Sequence, residues 1–154
     1  MKKLIVLFSM MFFIMSNAFA QKGIQAAGVH LSYGTEIETI GIGVKYQYNI
    51  TDNIRFEPSL NYSFENDFGT DQFDINANLH YLFPMASYVR VYPLAGLTFA
   101  RYDNVETHTR LGVNAGGGAE FDMSNNLILN LELKYQFVSD ADQAFFNVGI
   151  AYIF

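Results

Sequence analysis

From Ala27 to Phe154 the sequence alternates apolar residues with small or polar ones, period two, in eight successive segments. A strand sends neighbouring side chains to opposite faces, so each segment is a strand with two unlike faces. The apolar face occupies every second position of 27–33, 40–48, 54–64, 73–83, 89–99, 111–121, 127–137 and 146–154, and none of these positions is charged. The other face is rich in glycine and amides, such as Gly41, Gly43, Gln47, Asn61, Asn76, Asn114, Gly116 and Gln136. Helical 3.6-residue spacing is absent. Beyond residue 20 no run approaches the ~18 apolar residues of a membrane helix. The chain is therefore all-β.

Alternation alone does not say which face is inside. A lipocalin-like soluble barrel turns its apolar face inward, and an outer-membrane barrel turns it outward. Three features favour outward. The polar face is wrong for water: only 16% of residues are charged, against about 25% in a soluble domain, and Lys22, Lys45 and Lys134 are the only lysines after the first three residues. The apolar face is graded. Tyr33, Tyr46, Tyr48, Tyr62, Phe64, Phe73, Tyr81, Phe83, Phe99, Phe121, Tyr135, Phe137 and Tyr152 sit toward strand ends, while aliphatic residues fill the middles. That is the layering of aromatic girdles around a lipid-facing band. Strands of about 10–12 residues also suit a tilted bilayer crossing, which takes about 9–11. An unpaired backbone N–H or C=O in hydrocarbon costs several kcal/mol, so such a sheet must close. The expected fold is an eight-stranded antiparallel up-and-down transmembrane β-barrel.

Turn signals separate the strands. Residues 50–53, 84–87 and 123–126 are tight, whereas 34–39, 65–71, 101–110 and 138–143 are expected to be longer loops on the outer side, with both termini on the periplasmic side. Pro58 and Pro93 fall inside strands, where proline removes a ladder donor, and bulges are expected there.

The first twenty residues have their own logic. Lys2 and Lys3 precede the apolar run Leu4–Met15, and Ser16–Ala20 ends with small residues at Ala18 and Ala20. This predicts a secretory signal peptide over 1–20, cut after Ala20, and an outer-membrane domain over 21–154. Loss of Lys2 and Lys3 takes the formal charge from −6 to −8. An acidic chain is a poor phosphate tracker, so no nucleic acid is expected as partner. Without cysteine there is no disulfide framework, lipid-modified cysteine or thiolate zinc site.

The remaining charge sorts into two sets. Inward by parity are Lys45, Arg55, Arg90 and Lys134 against Glu57, Asp74, Glu120 and Glu132, a lumen set expected to form an ion-pair network, because unpaired buried charge is costly. An eight-stranded interior is just wide enough for side chains, which favours a plugged lumen. The outer loops carry Glu36, Glu38, Glu65, Asp67, Asp71, Asp103, Glu106, Asp140 and Asp142 against Arg101 and Arg110. Solvated loop tips explain them, with divalent-cation binding beside lipopolysaccharide as the sharper alternative. No catalytic set stands out. His30 and His80 face inward and His108 lies in a loop, but nothing sets Ser32 or Ser63 apart as a nucleophile. No cofactor and no metal site is expected.

The whole segment 21–154 resembles the small eight-stranded outer-membrane barrels of the OmpA/OmpX type, members of the outer membrane protein beta-barrel family of Gram-negative bacteria. The resemblance rests on the last strand, Ala144–Phe154, and on the glycine-rich strand, Ser-Asn-Asn turn and Lys-Tyr-Gln-Phe ending of 112–137. It implies that Val148, Ile150, Tyr152 and the terminal Phe154 act as the signal read by the barrel-assembly machinery, after escort by periplasmic chaperones. It also implies outer-membrane lipid and lipopolysaccharide as surroundings and a monomeric, non-enzymatic protein with a structural or surface-interaction role. A narrow porin-like channel and a soluble periplasmic lipocalin-like lipid carrier are the alternatives, with an enzyme of lipid A the least favoured.

Overall fold

The computed structural model describes residues 22–36, 38–65, 67, 69–103, 106–140 and 142–154. The predicted signal segment and its cut site lie outside the described residues. Nine strand segments follow in order: β1 (Gln25–Gly34), β2 (Thr39–Asn49), β3 (Ile54–Ser63), β4 (Asp71–Tyr81), β5 (Phe83–Ala86), β6 (Val89–Asp103), β7 (Thr107–Asp122), β8 (Leu127–Val138) and β9 (Gln143–Ile153). Each pairs antiparallel with its ring neighbours, and the β1–β9 and β4–β6 pairings close the sheet. β4 and β5 are one stave, because both pair with β6 in a single register, His80 opposite Leu94 and Phe83 opposite Val91. The result is a closed barrel of eight staves.

Closure sets a tilt. Following paired residues round the ring from Gly28 through Lys45, Ser59, Asn76, Thr98, Gly112 and Val138, then through β9 in its own register, returns to position 38, ten residues from the start. That stagger over eight staves corresponds to a tilt of about 40°. A strand of 11 residues then rises about 28 Å, close to the hydrocarbon thickness of a bilayer.

The alternation becomes a clean division of faces. Along β2, Lys45, Gln47 and Asn49 are buried, while Ile40, Ile42, Val44, Tyr46 and Tyr48 lie on the outer surface. Val44 sits at mid-height between Val29 of β1 and Leu60 of β3, both exposed. Aromatic rings pair along the two rims of this band: Tyr62 with Phe64 and Tyr135 with Phe137 on one, with centroids 5.6 and 4.6 Å apart, and Tyr81 with Phe83 and Tyr46 with Phe154 on the other, at 4.8 and 6.5 Å. The interior is polar, the inverse of a lipid carrier.

Two expectations are corrected. Neither Pro58 nor Pro93 produces a bulge. Pro58 stays opposite Ala77 on β4, and the register to β2 is the same on both sides of it; only its own pair with Tyr46, and that of Glu57 with Gln47, drop out. Pro93 stays opposite Gly117 on β7, and the pair it would make with Tyr81 is missing where β4 gives way to β5 at Leu82. A proline deletes one rung toward one neighbour; it does not require an extra residue. The segment 101–110 is likewise a strand hairpin more than a loop, since β6 and β7 run on to the pair Asp103–Thr107. His108 is therefore on β7, exposed, opposite Tyr102. This hairpin projects at the end of the barrel opposite the chain termini, while the β1–β2 and β8–β9 connections there span only 35–38 and 139–142.

A charge at mid-band tests which face meets lipid. Val44→Arg is expected to cost about 2–4 kcal/mol of stability in bilayers, read by reversible urea unfolding in liposomes.

Candidate functional site

The lumen gathers the eight sequence-predicted inward charges, and all are buried. Strand direction assigns their depth. Nearest the end that holds the chain termini, Arg55 of β3, Arg90 of β6 and Glu120 of β7 meet. Arg55 Nη1 and Nη2 donate to the two Glu120 oxygens at 2.6 and 3.1 Å, and Arg90 Nε donates to Oε1 at 2.5 Å. Asn49 accepts from Arg55 Nε at 2.8 Å, and Asn130 donates to Glu120 at 3.3 Å. Arg90 also holds Asp122 with both terminal nitrogens; Asp122 shares the inward parity of Glu120 at the last position of β7, but lies outside the sequence-predicted lumen set because it borders the 123–126 turn. A two-arginine clamp of this kind satisfies both carboxylate oxygens and the guanidinium forks together. Below it opens a cavity of about 490 Å³, lined by Asn49, Arg55, Arg90, Asp122, Ser124 and Asn125 among others.

The middle layer holds Lys45, Glu57, His80, Tyr92 and Glu132. Lys45 Nζ lies 3.8 Å from Glu57 Oε2, and Gln47 donates to the same oxygen at 2.7 Å. Tyr92 OH and Asn147 Nδ2 donate to Glu132 at 3.1 and 3.0 Å. His80 stacks on the Tyr92 ring, with centroids 4.4 Å apart and planes at 4°. Tyr92 has room because Gly118 faces it; a Cβ there would lie 2.7 Å from the phenol.

Toward the outer end amides take over. Asn114 Nδ2 bridges Asn76 and Asn78, both at 2.9 Å, Gln136 donates to Thr98 at 2.6 Å, and Gln143 donates to Gln72 at 2.6 Å. Asp74 accepts from Gln72 at 2.6 Å, and Lys134 contacts Asn76 at 3.5 Å and the Phe145 ring at 5.6 Å. Among the described residues, Asp74, Glu132 and Lys134 have no ion-pair partner within 4 Å, so the charged set is bridged by amides and hydroxyls as much as by direct pairs.

Ser32 donates to Asn61 at 2.9 Å, not to a histidine. On the outer rim Arg101 pairs with Asp103 and Arg110 with Asp140, each at 3.0 Å. The Thr107 hydroxyl, then Arg101, holds the exposed Asp103 carboxyl below the usual range. Asp71 accepts from Tyr62 at 2.9 Å and Asp142 from the Val138 N–H at 2.9 Å. Among the described residues these rim acids do not converge as a three-ligand cluster, whereas Glu57, His80 and Glu132 do, their donor atoms all within 4.8 Å of one another. Parity placed each of the three inside; their meeting depends on strand stagger, which no local pattern shows.

A closed, eight-stave barrel with an aliphatic belt, two aromatic rims and a polar, charge-bearing lumen defines the class of transmembrane β-barrels. Residues 5–154 match the model of the outer membrane protein beta-barrel domain, and the chain belongs to that family. Among solved structures, it is similar to the N-terminal barrel domain of OprF from Pseudomonas aeruginosa, at TM-score 0.74 and 15% identity over 88% of this chain and 100% of that one. Neisserial surface protein A is similar at 0.70 and 17%, covering 85% and 96%. Ail, the attachment invasion locus protein of Yersinia pestis, is similar at 0.61 and 19%, covering 87% and 100%; it has also been solved with the heparin analogue sucrose octasulfate. No curated protein matches the sequence.

Removing one partner of a buried ion pair strands the other charge, at about 3–5 kcal/mol. Glu120→Gln is therefore expected to destabilise by that amount in urea titration, while Glu36→Gln on the rim stays within about 0.5 kcal/mol.

Proposed function

We propose that this protein is a structural, non-catalytic barrel of the outer membrane whose lumen is closed to solutes by its own side chains and whose acidic outer rim meets lipopolysaccharide and the medium. The observation that carries this reading is the clamp of Glu120 between Arg55 and Arg90, roofed by the Tyr92–His80 stack and the amide layer. To conduct, the lumen would have to break buried charge-assisted bonds in a low dielectric, which is costly. The Ser32 hydroxyl, which donates to Asn61, supports a role without chemistry. The negative rim does not suit a polysulfated sugar such as the sucrose octasulfate solved with Ail; it suits cationic surfaces, or phosphates bridged by divalent ions. Export begins with a signal peptide cut after Ala20. The outward Val148, Ile150, Tyr152 and Phe154 serve recognition by the assembly machinery, and the folded barrel stands as a monomer.

Purified barrel in planar bilayers tests the closed lumen. The expected result is no steady conductance of general-porin size; stepwise openings of that size would make it a channel. Amino-terminal sequencing of the protein recovered from outer membranes is expected to begin at Gln21.

A further inference from the structure

The middle layer holds one group that the ion-pair scheme leaves unused. His80 is 1% exposed, yet neither ring nitrogen has a hydrogen-bond partner. Glu57 Oε1 lies 3.8 Å from Nε2. Lys45 and Gln47 both address the other oxygen of that carboxylate, Oε2. Glu132 lies across the lumen on β8, fixed by Tyr92 OH on one oxygen and Asn147 on the other, and among the described residues it has no cation within 4 Å. Three strands thus aim one imidazole and two carboxylates at a common point.

We propose that Glu57, His80 and Glu132 form a binding site for a divalent transition-metal cation of the zinc type inside the barrel. Zinc takes imidazole and carboxylate ligands at about 2.0–2.2 Å, which places neighbouring donors about 3.4 Å apart. The Glu57–His80 separation of 3.8 Å is close to that, and all three donors lie within 4.8 Å of one another. The donor set excludes calcium and magnesium, which prefer six or more oxygens. The surrounding contacts are those of a metal's outer shell: Gln47, Tyr92 and Asn147 orient the two carboxylates, and the stacked Tyr92 ring fixes the imidazole plane. Charge also agrees. Inside and at the mouth, Glu57, Asp74, Glu120, Asp122 and Glu132 outnumber Lys45, Arg55, Arg90 and Lys134 by one. Because the site is buried in a filled lumen, the ion enters as the barrel folds.

The test is to fold the barrel into detergent micelles with zinc chloride, remove free metal by gel filtration and count bound zinc by mass spectrometry. Heat-modifiable mobility on gels reports folding of every variant. One zinc per barrel is expected for the native chain and for His108→Ala, whose imidazole is exposed on the outer hairpin. His80→Ala and the nearly isosteric Glu132→Gln are expected to lose at least about tenfold in affinity, no less than outer-shell changes cost at known sites. Cobalt loading of the native barrel gives a readout independent of any variant, a visible band of four-coordinate nitrogen–oxygen ligation. A native barrel that holds no zinc, folded variants that hold as much as the native chain, or cobalt without that band would each overturn the proposal.

Discussion

Every structural property of this protein depends on one constraint: backbone N–H and C=O groups in hydrocarbon must find partners within the chain. An open sheet would leave two edges bare, so β9 returns to β1 and pairs with it from Ala26–Ile153 to Gly34–Phe145. Ring closure then fixes stave number, stagger and tilt together. These fix the bore. A bore of eight staves admits side chains and little else, which is why the inward face is built of glycine, amides and a few long charged groups.

The same closure explains why charge can be kept inside. Lys45, Arg55, Glu57 and Glu120 stand on staves that tilt past one another, so a residue on β3 meets one on β7 across the lumen. Water is largely excluded there, and the bonds gain strength while stranded charges gain cost. Where direct pairing ends, amides bridge. The glycines serve this filling: Gly118 clears space for Tyr92 and Gly43 for His30, whose ring occupies the position of a side chain. Outside, no such demand exists, and the aliphatic band with its aromatic rims needs only to match lipid.

Much of this was legible in the sequence, because a face that must contain no charge over eight strands leaves a signal that few other folds produce. Parity also placed the eight lumen charges and the aromatic rims. Depth was not legible. Glu57 meets His80 through the register of the neighbouring β3–β4 pair, which sets Glu57 opposite Asn78; whether the two then meet Glu132 of β8 follows from the ten-residue stagger, a sum of registers that no local window contains. Inward apolar residues such as Tyr92, Leu94, Phe145 and Ile128 were invisible for the opposite reason: the lumen tolerates both polarities, so its face carries no strict rule. The hairpin beyond Phe99 carries no strand signal because no lipid imposes an apolar face on it there. The prolines misled because sequence does not show which neighbour a strand N–H addresses.

The central claim is that the apolar face of every strand meets lipid and the polar face fills the lumen. The chain has no cysteine, so single cysteines along β8, from Leu127 to Val138, can each carry a nitroxide in a bilayer. Collision with oxygen, which concentrates in lipid, is expected to alternate with period two and peak at Leu129, Leu131 and Leu133. Collision with a water-soluble nickel chelate should stay low at those three positions. Leucine positions open to the nickel chelate, or oxygen maxima at Asn130, Glu132 and Lys134, would contradict the account.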